Sequence, residues 1–296
     1  PRRHQATLAL DARATLGECI RWDERQRLIY WVDIPGRQLH RYDPATGRDD
    51  AMPLAQEMGC FALAERGGFI CGMRSGYARL DRFGGDFTSL ASPDYDPAKA
   101  RFNDGRCDSA GRFWAGTMWE PRDRAGGIVY RLDADGRFGA QCNPVIIANG
   151  ITFAPDGGRG MTWADTTSRV LWAFDYDLVT GIPSSRRELR SYEPASGRPD
   201  GACVDAEGNV YVAIMAGGRV EKISPTGELL AVIELPIPNI TCCTFAGDDL
   251  RTLYITTART RMTDAELAAH PYAGGLFAWR LPDGDAPGII EPRYAG

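Results

Sequence analysis

Apolar and polar positions along the chain repeat one pattern six times. Each copy contains an apolar stretch, a turn with Asp or Gly, a short apolar strand rich in Tyr or Trp, and a further strand that runs into a Gly-containing turn. The short apolar strands are LIYWVD, FICGM, FWAGTM, MTWADT, VYVAI and LYITTA, which begin at residues 28, 69, 113, 161, 210 and 253. This spacing of 41 to 49 residues is typical of a propeller or another repeat array.

The alternation within each copy, together with turns such as DPATG, DADG and SPTG, predicts antiparallel hairpins. Six such sheets can close around an axis, because each then buries its faces against two neighbours. We therefore predict an all-β, six-bladed β-propeller that forms a single domain over residues 1–296. Residues 5–10 (QATLAL) precede the first full copy, and we expect this strand to join the last blade and close the ring. A short helix is predicted at residues 263–269 (TDAELAA), with Thr263 as its cap.

Charge and hydropathy narrow the class of protein. The net charge of −5 argues against a nucleic-acid partner, because phosphate binding needs a basic stripe. The first twenty residues contain Arg and Asp where a signal peptide needs an unbroken apolar core, and no apolar run approaches a membrane span. We expect a soluble, cytoplasmic protein without a membrane partner. Nothing in the pattern indicates an oligomeric state.

The cysteines are expected to be free thiols. They form no CxxC pair, and most lie within apolar strand segments, where a free Cys behaves as a small hydrophobe. Disulfides are not expected in a chain of this size without a secretory signal. The eight cysteines are residues 19, 60, 71, 107, 142, 203, 242 and 243.

One position of the repeat departs from uniformity. It lies five residues before the end of the first strand, where the second copy has Gly59, while the sixth has an ambiguous register with Asn239 as the nearest candidate. A single Asp-Gly or Asn-Gly pair more often marks a turn than a ligand. Four equivalent polar residues in four copies favour a binding site. These residues are Glu18, Asn103, Asn149 and Asp200.

The first strand of a propeller blade lines the central axis, so equivalent positions of different blades converge. Two carboxylates about 4 Å apart repel each other by roughly 4 kcal/mol at an effective dielectric constant of about 20. A divalent cation removes this repulsion and takes the oxygens as ligands. Only three histidines occur, at residues 4, 40 and 270, and no GxSxG, P-loop or HExxH motif is present. The sequence therefore favours oxygen-ligated metal chemistry.

At these positions the sequence resembles the family of senescence marker protein (regucalcin), gluconolactonase and luciferin-regenerating enzyme. The resemblance covers nearly the whole chain, with separated motifs in the same order. It implies a six-bladed propeller with one divalent metal ion near the axis and hydrolysis of a sugar lactone to the aldonic acid. The matching segments are LGE at 16–18, RFNDGRCDSAGRFWAGTM at 101–118, NGITFAPDG at 149–157, PDGACVDAEGNVYVA at 199–213 and LYITTAR at 253–259.

The resemblance also implies roles for particular residues. The metal ligands of the family fall on Glu18, Asn149 and Asp200. Arg101 and Asn103 match the substrate-contacting pair of the family's R-x-N-D-G motif. A Glu that touches substrate in some relatives corresponds to Glu120, and the neighbouring Trp119 is a candidate to shape the pocket.

These residues favour metal-assisted acyl transfer from a pentono- or hexonolactone to water, with the cation as Lewis acid and Asp200 as candidate base. Oxygen ligands suit Ca²⁺, Mg²⁺ or Mn²⁺, and Zn²⁺ and Fe²⁺ stay open. One alternative is a calcium-binding regulatory propeller without catalysis. Another is a phosphotriesterase or arylesterase on the same scaffold. A plain interaction propeller is disfavoured by the inward polar ring.

Overall fold

The computed structural model describes residues 1–141, 145–155, 157 and 159–296. In this part of the chain it contains 25 strands, one α-helix and one 3₁₀ turn. The strands form six sheets, which are the blades of a six-bladed β-propeller, as predicted. No helix among the described residues has the length and apolar character needed to cross a membrane.

The chain begins with two short strands, β1 (Arg2–Gln5) and β2 (Thr7–Leu10). Blade 1 consists of β3 (Gly17–Asp23), β4 (Leu28–Asp33), β5 (Gln38–Asp43) and β6 (Arg48–Pro53). Blade 2 consists of β7 (Met58–Leu63), β8 (Phe69–Met73), β9 (Tyr77–Leu80) and β10 (Phe87–Ala91). Blade 3 consists of β11 (Ala100–Cys107), β12 (Phe113–Trp119), β13 (Val129–Leu132) and β14 (Phe138–Ala140).

Blade 4 consists of β15 (Ala148–Phe153), β16 (Gly160–Asp165), β17 (Val170–Asp177) and β18 (Ile182–Ser191). The 3₁₀ turn Pro194–Ser196 leads into blade 5. Blade 5 contains β19 (Arg198–Val204), β20 (Val210–Met215), β21 (Arg219–Ile223) and β22 (Leu229–Glu234). Blade 6 contains β23 (Ile240–Ala246), β24 (Thr252–Thr257) and β25 (Leu276–Arg280), with α1 (Asp264–Ala269) between the last two.

The repeat predicted the second strand of every blade. Each of the six short apolar segments overlaps the strand that follows the innermost one, namely β4, β8, β12, β16, β20 and β24. The predicted helix is also confirmed. The Thr263 hydroxyl accepts a hydrogen bond from the backbone N–H of Glu266, and the Glu266 carboxylate accepts one from the N–H of Thr263, which completes a capping box.

The N-terminal segment closes the ring, as expected, but it does so in two places. Strand β2 pairs antiparallel with β25 and completes the last blade. Strand β1 instead pairs in parallel with β22, with His4 opposite Ile233, and becomes a fifth strand of blade 5. Strands β1 and β2 thereby become the outer edges of blades 5 and 6.

The first strand of each blade, here called the inner strand, faces the axis, and consecutive inner strands contact one another around the ring. The inner strands are β3, β7, β11, β15, β19 and β23. Apolar side chains from facing blades pack between them; Phe61 of β7 and Phe102 of β11, for example, belong to one fully buried cluster. The seven described cysteines are buried and free, as expected, whereas Cys142 lies outside the described residues.

The axial channel has two different ends. At the N-terminal ends of the inner strands a cavity opens, and this side is called the open end. At their C-terminal ends the last residues of the chain cross beneath the ring. Asp205 pairs with Gly288 there and Ala64 pairs with Tyr294, so this side is called the closed end.

Candidate active site

Every inner strand carries a β-bulge at one level of the ring. A bulge redirects side chains and is common beside active sites. The pairing register shifts between Glu18 and Arg21, Met58 and Cys60, Phe102 and Asp104, Asn149 and Thr152, Pro199 and Ala202, and Ile240 and Cys242. Two bulges include a residue in the left-handed region, Cys19 (φ 46°) and Gly150 (φ 63°). The polar positions of the repeat therefore coincide with a shared break in the pleat.

In blades 2 and 6 the position equivalent to Glu18, Asn103, Asn149 and Asp200 contributes no metal- or substrate-binding side chain. In blade 2 it is Gly59, because a Cβ atom there would lie 1.8 Å from the carbonyl oxygen of Phe102. In blade 6 the bulge residue is Thr241 rather than Asn239, which corrects the candidate from the sequence. Asn239 precedes β23 and donates through Nδ2 to the carbonyl oxygen of Thr260 at 3.2 Å. The Thr241 hydroxyl is itself engaged, since it donates to the carbonyl oxygen of Gly17.

A chain of hydrogen bonds connects three blades at the open end. Arg101 Nη1 donates to Asn103 Oδ1 at 3.1 Å, and Asn103 Nδ2 donates to Asn149 Oδ1 at 3.0 Å. Asn149 Nδ2 then donates to the Thr166 hydroxyl at 2.6 Å, which donates to the carbonyl oxygen of Pro199 at 2.8 Å. The chain orients the Asn149 amide, and its carbonyl oxygen retains a second lone pair for another partner.

Two buried carboxylates, those of Glu18 and Asp200, complete this group. Their residues are 4% and 5% exposed. Burial, followed by the negative charge of Asp200, raises the pKa of Glu18. Burial also raises the pKa of Asp200. Asp200 Oδ1 is buried without a hydrogen-bond partner among the described residues. Such an orphaned acceptor is costly unless a ligand satisfies it.

The five side chains predicted to bind metal or substrate near the axis line one cavity of about 230 Å³. These are Glu18, Arg101, Asn103, Asn149 and Asp200. Arg101 is buried, and burial lowers the pKa of its guanidinium group. Apolar lining comes from Leu16, Pro35, Met118, Ile147 and Met215.

Glu120 lines the same cavity but lies at its rim. Its side chain is 36% exposed, and its two oxygens pair with Arg74 at 2.6 and 3.1 Å. Arg74 also pairs with Glu57 at 3.0 Å. Trp119 does not belong to the cavity lining among the described residues. Its indole Nε1 instead donates to Asp123 Oδ1 at 2.6 Å. No described contact therefore supports the expectation that Trp119 shapes the pocket.

Sequence reasoning missed several residues that line the cavity. They are Arg122, Thr166, Arg198, Thr260 and Arg261. Thr166 directly follows β16. Arg122 and Arg261 lie in loops between strands, and Arg198 is the first residue of β19. No motif or period marks such positions, because loop residues converge only when the ring closes.

The oxygen donors fit a hard divalent cation. Among the described residues there is no group of three or more His, Cys, Asp or Glu side chains that could hold a metal. The predicted set differs from such a group because it combines two carboxylates with one amide. Oxygen ligands of this kind, completed by water, suit Ca²⁺ or Mg²⁺. The orphaned Asp200 Oδ1 and the uncompensated Glu18 carboxylate are the features that a cation would satisfy.

The chain is similar in sequence and in fold to several known proteins. Residues 16–259 match the family model described as the SMP-30/gluconolactonase/LRE-like region. The chain is 44% identical over 287 residues to 6-deoxy-6-sulfogluconolactonase of Pseudomonas putida, with 96% of each chain covered. It is 36% identical over 290 residues to regucalcin of Gallus gallus, again with 96% of each covered. The solved structure of a calcium-binding protein, regucalcin of Agrobacterium tumefaciens, has a TM-score of 0.94 at 26% identity and 100% coverage of both chains.

Proposed function

The chain belongs to the SMP-30/gluconolactonase/LRE-like family, and we propose that it is a metal-dependent sugar lactonase, which hydrolyses an aldonolactone to the aldonic acid. The observation that carries this proposal is the buried pair of Glu18 and Asp200, with an orphaned carboxylate oxygen, in a polar cavity beside Arg101 and Asn103. The name of the Pseudomonas relative describes a lactonase whose sugar substrate carries a sulfonate.

Glu18, Asn149 and Asp200 would hold one divalent ion. The candidate ions are Ca²⁺, Mg²⁺, Mn²⁺, Zn²⁺ and Fe²⁺, and metal reconstitution identifies the active one. When bound, the ion supplies Lewis-acid polarisation of the lactone carbonyl group, worth several kcal/mol in the transition state. The hydrogen bond from Asn103 holds the Asn149 carbonyl oxygen in place for this role. The Thr166 hydroxyl fixes the other side of the same amide.

The remaining roles fall to groups that line the cavity. Arg101 presents guanidinium N–H donors for substrate oxygens, and Asn103 orients Arg101 by accepting its hydrogen bond. The Asp200 carboxylate is the candidate general base for a water molecule as well as a metal ligand. The water oxygen adds to the carbonyl carbon, the bond from this carbon to the ring oxygen breaks, and the ring oxygen receives a proton. Glu120 is a rim residue that its ion pair with Arg74 holds in place.

A calcium-binding regulatory protein without catalysis is the second candidate function. It is favoured by the likeness to regucalcin of Agrobacterium tumefaciens, a calcium-binding protein. The arrangement of Arg101 and Asn103 beside the carboxylates favours an enzyme, since calcium binding alone has no use for a buried guanidinium group. A phosphotriesterase or arylesterase receives less support, because such an enzyme would favour a more apolar pocket and Trp119 is not among the described residues that line this cavity.

Reconstitution of the metal tests the proposal. The protein is stripped with a chelator, reloaded with each of the five ions in turn, and assayed in a pH-stat with xylono-, arabino-, galactono- and gluconolactone. We expect the stripped protein to be inactive and at least one ion to restore turnover. The Glu18→Gln variant should stay inactive, whereas Glu188→Gln, an exposed residue of β18, should behave like the wild type. Calcium binding by calorimetry without hydrolysis of any lactone would instead support the regulatory protein.

A further inference from the structure

Three arginines line the mouth of the cavity and have no role in the mechanism above. Arg122 lies in the loop after β12, Arg198 is the first residue of β19, and Arg261 lies in the loop after β24. They come from blades 3, 5 and 6, which bring them together only because the ring is closed. Arg122 and Arg198 are half-buried and Arg261 is exposed, so all three lie closer to solvent than Glu18 and Asp200.

These three guanidinium groups are not neutralised by the protein. Among the described residues, none of them forms a salt bridge or donates a side-chain hydrogen bond. Burial lowers the pKa of Arg122, and the positive charges of Arg261 and Arg198 lower it further. Burial likewise lowers the pKa of Arg198, followed by the charges of Arg169 and Arg261. The three cations therefore repel one another, and an anion between them would relieve that repulsion.

The rim carboxylate of Glu120 is already paired. Glu120 lines the cavity, but both of its oxygens accept hydrogen bonds from Arg74. Arg74 is shared with Glu57, which gives two carboxylates for one guanidinium group. The chain thus neutralises Arg74 twice while Arg122, Arg198 and Arg261 keep their charges. The cavity has an acidic base and a basic mouth.

A ligand that fits this polarity carries its carbonyl end at the base and a negative charge at the other end. We propose that Arg122, Arg198 and Arg261 bind an anionic substituent of the sugar lactone, and that they make the enzyme selective for anionic over neutral lactones. The substituent is an oxyanion, namely a sulfonate, phosphate or carboxylate, because guanidinium groups bind such groups through paired charge-assisted hydrogen bonds. This inference rests on the proposed lactonase function.

The product of hydrolysis does not explain the arginines. Opening of the lactone creates its carboxylate at the former carbonyl carbon, which lies at the base beside Glu18 and Asp200 in the proposed orientation. The arginines at the mouth face the opposite end of the sugar. They therefore match a charge that the substrate already carries before the reaction.

The test compares kcat/KM for gluconolactone with that for gluconolactones whose terminal carbon carries a sulfonate, a phosphate or a carboxylate. We expect the wild type to prefer at least one anionic lactone by about tenfold or more. Each of Arg122→Gln, Arg198→Gln and Arg261→Gln should reduce this ratio by about fivefold or more, mainly through KM of the anionic lactone. Arg48→Gln is the matched control, because Arg48 lies on the outer strand β6 and pairs with Asp50. The anionic lactone with the largest kcat/KM relative to gluconolactone identifies the anion that the arginines bind.

Two further measurements keep the inference falsifiable if a variant fails to fold. In the wild type, a rise in NaCl from about 0.05 to about 0.5 M should raise KM for the anionic lactone several-fold and leave KM for the neutral one nearly constant. Arg198→Lys, which keeps the charge, should retain more of the preference than Arg198→Gln. Equal kcat/KM for neutral and anionic lactones in the wild type would overturn the inference and leave the lactonase intact. Failure to hydrolyse any lactone with any metal would overturn the proposed function itself.

Discussion

The two ends of the axial channel both bury charged side chains, but they treat them in opposite ways. At the closed end Arg106 Nε lies 3.1 and 3.0 Å from the two oxygens of Glu291. Burial acts to raise the pKa of Glu291, but the charges of Arg106 and Arg21 outweigh it and hold this pKa below its ordinary value. At the open end no described residue forms a salt bridge with Glu18 or Asp200, and burial raises the pKa of both.

The closed-end arginines also connect the blades. Arg106 of blade 3 donates to the carbonyl oxygens of Ile151 in blade 4 and Ala202 in blade 5, both at 2.6 Å. Arg21 of blade 1 donates to the carbonyl oxygen of Gly105 in blade 3 at 2.7 Å. These side chains therefore act as struts across the axis.

The difference separates a structural use of buried charge from a functional one. Where the charges pair with each other, as Arg106 pairs with Glu291, the group holds blades together. Where two buried carboxylates lack an ion pair, a bound cation would relieve the cost of burying them. Perturbed groups of this kind mark functional sites. The two ends of the channel contain similar types of residue. They differ in whether the buried charges are neutralised by protein partners.

The largest effect is expected from the closed end. Arg106→Met leaves Glu291, whose side chain is 12% exposed, without its partner and removes two hydrogen bonds to backbone carbonyls. We expect a loss of about 3–5 kcal/mol in the free energy of unfolding, measured by urea denaturation. Arg137→Met, on an exposed hairpin, is the control and should unfold like the wild type. A loss below about 1 kcal/mol would mean that the closed-end pair is not structural.

At the open end the expected effect is on turnover rather than on stability. Asp200→Asn should lower kcat for a lactone by about 100-fold or more, since it removes the candidate base and a metal ligand. In the presence of chelator the variant should melt no lower than the wild type, because one of two repelling carboxylates is gone. Asp205→Asn, just beyond the other end of β19, should show the opposite: it weakens the hydrogen bonds from Asn209 and the ion pair with Lys222, so stability falls while activity is retained per folded molecule. A similar fall in Tm for both variants would contradict the proposed difference between the two ends of the channel.

A chelator should also distinguish the two ends in the wild-type protein. Because a ligand that binds only the folded state stabilises it, removal of the ion should lower Tm by several degrees. Glu18→Gln should melt at the same temperature with and without chelator, whereas Glu291→Gln should keep the full response. Identical melting curves for the wild type in both conditions would count against a bound ion.

The smallest expected effect is the pH dependence of the closed-end pair. Because the folded pKa of Glu291 lies below its unfolded value, the pair contributes stability above the unfolded pKa of about 4.3 and loses it as pH falls through the folded pKa. Glu291→Gln should therefore be less stable than the wild type by about 1.5 kcal/mol near pH 7. The difference should shrink towards zero in acid, as urea titrations across this range would show. A difference that is the same near pH 7 and in strong acid would contradict the assignment.

Several features of the site could be predicted because they repeat. The strands β4, β8, β12, β16, β20 and β24 follow from local alternation and turn residues, and the six-fold period makes closure into a ring the natural arrangement. Glu18, Asn103, Asn149 and Asp200 were found because they occupy one position of that period. The same reasoning chose Asn239 in the sixth copy, where the bulge in β23 instead presents Thr241.

The sequence by itself determined the strands, their order and the polar positions that face the axis, because alternation and turn chemistry act between near neighbours in the chain. Only the tertiary structure decided which charges meet. The pairing of Arg106 with Glu291, the addition of β1 to blade 5 and the convergence of Arg122, Arg198 and Arg261 depend on how the ring closes and where each bulge shifts the register. Contacts of this kind join residues far apart in the chain, and no local pattern records them.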